Sequence, residues 1–229
     1  MKRSGIIISA LLIVVAGMAG WLIGNNAKTS TTTSTTVTST TTTVPTSQPA
    51  TAVWPFANGT LRFTSPVAAA TSFAVDYLGF TSPIVGAFQQ GDTRSGEVPV
   101  RASASGVVTT VLVRQLDASN TWWVLGASSP SINVTSPATL STVTSPVTLA
   151  GTSTAYEAVV NVDLRVDGSL TSVLKTTVMG GSMGVMGKFS KTVSFPTPNA
   201  SAGALMFRTL SAKDGSVIEA SVIRINYAG

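Results

Sequence analysis

Between residues 131 and 227 apolar side chains recur at alternate positions in short runs, a period that fits strands lying on a core and does not fit a helix. Seven strands are expected, over 131–135, 147–151, 158–166, 170–179, 188–195, 204–211 and 217–227. Turn signals such as Asp167-Gly168 and Lys213-Asp214-Gly215 separate them. In the third, Val160, Val162, Leu164 and Val166 point one way and Asn161, Asp163 and Arg165 the other. In the fifth, Lys191 shares a face with Phe189, Val193 and Phe195, which places it near an edge. The last changes parity, with Ile218, Ala220 and Val222 against Ile223, Ile225 and Tyr227, and a bulge near Ser221–Val222 would reconcile the two sets. Seven short strands with no helical pattern predict a β-sandwich. The chain has no Cys, so the sandwich is not of the disulfide-linked antibody type.

The preceding stretch, 54–129, mixes periods. Ser65-Pro66 has the form of a helix N-cap followed by proline at the first helical position. Val67, Ala70, Ala74, Tyr77 and Leu78 follow at helical spacing, Phe73 widens the stripe, and Gly79 supplies a left-handed stop. Beyond the helix, 97–101 alternates around Pro99, which predicts an edge strand because proline cannot donate to a ladder. The β-branched run 107–116, a four-residue turn at Asp117–Asn120 and a returning strand at 121–127 complete an antiparallel meander. One helix on such a meander is a small α+β module. Trp122 and Trp123 face opposite sides of their strand. One belongs to the core. The other is left for the surface, the helix or the next domain, and as an exposed ring it would serve a glycan or peptide. Arg94, Glu97 and Arg101 flank the Gly91–Gly96 loop, read either as a solvated turn or as part of an interaction surface.

Residues 6–23, from Ile6 to Ile23, carry no charge. As a helix they would be about 27 Å long, close to the hydrocarbon thickness of a bilayer. Lys2 and Arg3 precede them, so a span here leaves residues 1–5 in the cytoplasm and the bulk outside. The rival is a cleaved signal peptide and a secreted product, but the apolar run is long for one and no good small-residue cleavage site follows. Residues 24–53 then read as a disordered linker. Of the twenty residues 29–48, sixteen are Thr or Ser, too polar to offset the entropy of ordering and typical of O-glycosylated stalks.

Charge and chemistry narrow the function. The net charge is +5. Setting Lys2, Arg3 and Lys28 aside leaves eleven basic against nine acidic side chains, with no basic stripe, so nucleic acid is not an expected partner. His and Cys are both absent, which removes the commonest general base, the commonest transition-metal ligand and the thiol nucleophile. No phosphate-binding Gly motif or calcium-loop run is present. Neither cofactor nor metal is expected. A cell-wall enzyme using two carboxylates is the remaining catalytic alternative. Asp117, Asp167 and Asp214, however, sit in expected turns, where Asp is favoured for backbone reasons.

The C-terminal residues also carry a resemblance. Ile132-x-Val134-x-x-Pro137 is followed by Val143-x-Ser145-Pro146-Val147-x-Leu149-x-Gly151 and by Tyr156-Glu157-Ala158. Lys188-Phe189 opens a strand after a loop, and Leu210-Ser211-Ala212-x-Asp214-Gly215-Ser216 comes later. Together these resemble the immunoglobulin-like domain of bacterial spore germination proteins. The resemblance implies an extracytoplasmic β-sandwich, often joined to other envelope modules, with no established catalytic residues. Pro137, Pro146, Gly151, Tyr156, Glu157, Asp214 and Gly215 would then be structural, Glu157 by accepting backbone hydrogen bonds where a strand begins. The sequence departs from the family at the Met-rich residues 179–187. Met183 and Met186 there are either a soft contact surface or simply a hairpin tip. The expected protein is mainly β: a membrane helix, a linker, an α+β module and an immunoglobulin-like sandwich. Its expected role is non-catalytic binding or scaffolding in the cell envelope, toward an envelope protein or cell-wall glycan. The alternative is a binding module for a glycan or small ligand, with its pocket between the helix and sheet of the α+β unit.

Overall fold

The helix forms where its capping signals lie. In the computed structural model, which describes residues 48–228, α1 spans Pro66–Ser72 and Ser65 Oγ accepts from the Ala68 N–H at 3.4 Å. A π-helical turn, Phe73–Leu78, extends it and ends at Gly79, φ 86°. The wider turn brings Phe73, Ala74, Tyr77 and Leu78 together on the buried side. The expected cytoplasmic stub, the membrane span and the linker up to residue 47 lie outside the described residues. Among the described residues no helix is long and apolar enough to cross a membrane. The last residues of the expected linker are ordered: a 3-10 turn spans Gln48–Thr51, and Ala52 and Val53 are buried.

Fourteen strands follow among the described residues: β1 (Ile84–Val85), β2 (Gln89–Gln90), β3 (Ser95–Arg101), β4 (Thr109–Gln115), β5 (Trp122–Ser128), β6 (Ile132–Ser136), β7 (Thr142–Val143), β8 (Val147–Ala155), β9 (Val159–Val166), β10 (Ser172–Met179), β11 (Gly181–Ser182), β12 (Gly187–Val193), β13 (Ala202–Leu210) and β14 (Val217–Tyr227). One sheet has the order β1-β3-β4-β5-β14-β13-β9-β10, with β2 added on β3 and β7 on β14. A second sheet centres on β8, flanked by β6, β11 and β12.

The larger sheet runs through both expected modules, and the described residues belong to one compact unit. Its β14-β13-β9-β10 part packs one face on the second sheet. Leu149, Phe189, Val162, Leu164, Leu205, Phe207 and Ile225 fill that sandwich core. On the opposite face, Ala204, Met206, Ala220 and Val222 join the core under the helix, with Phe73, Leu78, Val98, Val111 and Val124. Strands β13 and β14 are therefore buried on both sides, which accounts for the two parities of β14 without the expected bulge at Ser221–Val222. The register shift lies instead at Ile218, opposite the Thr209/Leu210 step. Where β5 meets β14, Ala127 pairs with Val222, and a Cβ on Gly126 would sit 2.6 Å from the Val222 carbonyl oxygen.

Two further expectations are corrected. Strand β3 is not the edge. Strands β1 and β2 pair with it on either side of a gap at Gly86 and Phe88, which lies alongside Pro99. The ladder breaks where proline lacks a donor. The polar side of β9 is not a solvent face either, since it receives the helix unit. Arg165 Nη1 donates to the Tyr77 carbonyl at 2.6 Å, and Arg208 Nη1 of β13 to the Leu78 carbonyl at 2.9 Å. Two cations thus meet the carbonyl end of the helix, where its dipole favours them. Asp163 pairs with Arg208 and accepts from Ser172 Oγ at 2.7 Å.

Candidate functional site

Most of the sequence's candidate polar groups serve the fold. Arg94 is half-buried: its guanidinium donates to the Gln115 carbonyl (3.3 Å), to Asn120 Oδ1 (3.2 Å) and to the Asp117 carbonyl, clamping the β4–β5 turn. In that turn Asp117 accepts from the Thr121 and Ser119 hydroxyls. Burial pushes its carboxyl up, but hydrogen bonds from Ser119, Thr121 and Trp123 outweigh it, and the group lies below its ordinary range. Trp123 is buried, not a platform. Its indole N–H donates to Thr121 Oγ1 at 3.1 Å, Arg62 lies over its ring at 4.7 Å, and Ala52 and Leu116 close around it. Trp122 is half-buried on the helix side, edge-on to Phe88 at 5.2 Å. Glu97 is exposed and lines a shallow cleft with Gln89, Leu112 and Arg114. Arg101 is half-buried with no polar partner among the described residues. The space between helix and sheet, where a ligand pocket was an alternative expectation, is filled by fully buried Phe73, Leu78, Val98 and Val111.

The remaining carboxylates are dispersed. Asp167 does more than shape its turn, because both its oxygens pair with Arg224, which also donates to the Ala50 carbonyl at 2.6 Å. Asp76 accepts from Ser72 Oγ, Asp92 lies 3.9 Å from Arg114, and Asp214 accepts from the Ser216 N–H and hydroxyl.

One end of the sandwich is different. Tyr156, Met179, Met183, Val185 and Met186 are all exposed there, Met183 by 87%. The backbone beneath them is strained. Glu157 and Ala158 both have positive φ (55° and 61°), and so do Met183 (53°) and Gly184 (79°). Left-handed backbone costs a residue with a Cβ about 1–2 kcal/mol. The second pair forms the centre of a tight turn closed by the Val185 N–H on the Ser182 carbonyl at 2.9 Å. Such turns favour Asn-Gly, and here the first place is taken by Met. Strand β11 pairs Ser182 with Ala155, and the Gly180 N–H reaches the Ala158 carbonyl at 3.1 Å, so both strained turns form one rim. Glu157 points away from its expected role: it is exposed, and its carboxylate has no hydrogen-bond partner among the described residues.

Beneath the rim lies a cavity of about 360 Å³, lined by Tyr156, Val159, Met183, Thr154, Leu210 and Glu219 among others. Glu219 is 4% exposed. Its carboxylate accepts from Ser129 Oγ and, at 3.2 Å, from Thr209 Oγ1. Reasoning from the sequence missed Glu219, because an acidic residue in an alternating strand reads as outward-facing. The signal that could have found it was its parity, shared with Ser221, Ile223 and Ile225 on the sandwich side.

The other motif residues lie in the strands and turns of the sandwich. A Cβ at Gly151 would press on the Asn133 carbonyl of β6 and come within 2.7 Å of Phe189. Gly215 has φ 71° in the β13–β14 turn, and Pro137 and Pro146 each follow a cis peptide bond. Residues 131–216 match the family model for the immunoglobulin-like domain of bacterial spore germination. The matched residues cover strands β6 to β13, and β14, which joins them to the helix unit, follows directly. No curated protein and no solved structure matches the chain. Immunoglobulin-like domains of this family are not typically catalytic.

Proposed function

We propose that this germination-type protein is a non-catalytic recognition or scaffold protein of the cell envelope. Residues 6–23 tether it, and its body meets an envelope partner through the Tyr156–Met186 rim. The observation that supports this reading is the placing of exposed apolar side chains on strained backbone. A protein free to choose would put Asn at residue 183 and polar groups around it, and strain retained at an exposed tip points to use. The carboxylates support the non-catalytic part, since each one in an ion pair or turn already has a structural task and, among the described residues, no second carboxylate lines the cavity with Glu219. The test is co-sedimentation of the full-length protein in mild detergent with isolated cell envelopes. The wild type is expected to sediment, Met183→Asp to stay in solution, and no soluble wall fragment to be released.

A further inference from the structure

The cavity beneath the rim has a specific chemistry. Glu219 is its only charged lining residue, and it takes part in none of the ion pairs among the described residues, which are Arg114–Asp92, Arg208–Asp163 and Arg224–Asp167. A buried carboxylate held only by hydroxyls is unusual, because burial of a charge is costly unless a cation accompanies it. Two hydroxyl donors leave acceptor capacity on both oxygens. A metal ion does not suit the place, since no cluster of three ligating side chains exists among the described residues and hard cations require six or more oxygens.

We infer that this cavity receives a primary ammonium on an alkyl stem, in the form of a lysine side chain of the envelope partner. The inference rests on the reading of the rim as a recognition surface. The methylenes would run past Val159, Leu210 and Met183. The ammonium would donate to Glu219 and, with its other protons, to the hydroxyls of Ser131 and Thr154, which line the same cavity. The exposed ring of Tyr156 at the mouth adds an attraction for the cation. A volume of about 360 Å³ is enough for one such side chain and small for a sugar chain.

The test uses full-length protein carrying ¹³C-methyl methionine, titrated with Nα-acetyl-lysine methylamide and, separately, with its Nε-acetylated form. The lysine compound is expected to shift the Met183 methyl signal while leaving that of Met206, buried under the helix, in place. The acetylated form is expected to bind at least tenfold more weakly. Glu219→Gln, which keeps the shape and can still accept from one hydroxyl while its amide donates to the other, should weaken binding at least tenfold, with the Met206 signal reporting an intact fold. Because Tyr156 is exposed, Tyr156→Ala offers a variant that does not threaten folding, and it should weaken binding about threefold while Tyr156→Phe does not. Equal affinity for the two compounds, or unchanged affinity in Glu219→Gln, overturns the inference. If the lysine compound fails while Met183→Asp still abolishes envelope sedimentation, the ammonium is wrong and the recognition rim stands. If both fail, the rim falls too.

Discussion

Arg208 of β13 donates to the carbonyl of Leu78, the last residue of the helical segment, at 2.9 Å, while its other nitrogen pairs with the buried carboxylate of Asp163. One side chain of the β-sandwich thereby caps the helix of the preceding unit. Removing it strands a buried carboxylate and bares a helix end. Arg208→Met is expected to cost about 3 kcal/mol in urea denaturation. The double variant Asp163→Leu/Arg208→Met is expected to recover part of that loss, since it also removes the orphaned charge.

A shared sheet implies shared unfolding. Trp54, Trp122 and Trp123 report on the helix unit, whereas most of the strand signal comes from the sandwich. Tryptophan fluorescence and far-ultraviolet circular dichroism are therefore expected to give coincident transitions. Gly126→Ala should lower both midpoints together, because its Cβ would meet the Val222 carbonyl at the junction. Two separated transitions would show that the β5–β14 contact does not couple the units.

Acid should loosen the β4–β5 turn. The Asp117 carboxyl is held below its ordinary value once hydrogen bonds outweigh burial, so its contribution is present above the unfolded value of about 3.9 and is lost as pH falls through the folded one. Asp117→Asn is expected to be less stable than the wild type at neutral pH and to lose less on acidification, as read from urea midpoints between about pH 2 and 6. Alkali acts with the opposite sign. Burial raises the hydroxyls of Tyr77 and Tyr227, so stability should be retained below about pH 10 and decline above it.

Met183 offers a trade between stability and recognition. With φ 53° ahead of Gly184, it occupies a position where Asn is at ease. Met183→Asn is expected to raise stability by about 1 kcal/mol while weakening envelope sedimentation. A stable variant that still binds fully would remove the functional reason for the strain.

Much of the fold was legible because local chemistry and tertiary environment agree. Ser65, Pro66 and Gly79 mark the helix, and the β14 bounds, Val217–Tyr227, match the expected strand. The illegible parts are those where a second layer changes which face is inside. Arg165 and Asp163 look like a solvent face until a helix packs on them, and β14 looks bulged at Ser221–Val222 until both of its faces are covered. The candidate site was half legible. Met183 and Met186 stand out as apolar residues in a Gly-rich turn. Glu219 does not, because its burial depends on Ser129, ninety residues earlier in the chain. Arg94 and Trp123 misled for a related reason: a polar or aromatic residue beside a turn signals a contact, and only the fold shows that the contact is internal.

The recognition rim can be probed most directly by placing a photoreactive side chain at residue 183 and, as a control on the outer face of the helix unit's sheet, at exposed Leu112. In intact envelopes the protein labelled at 183 is expected to form a discrete cross-linked species, which the one labelled at 112 does not. Equal cross-linking from both positions, or none from 183, would contradict the account.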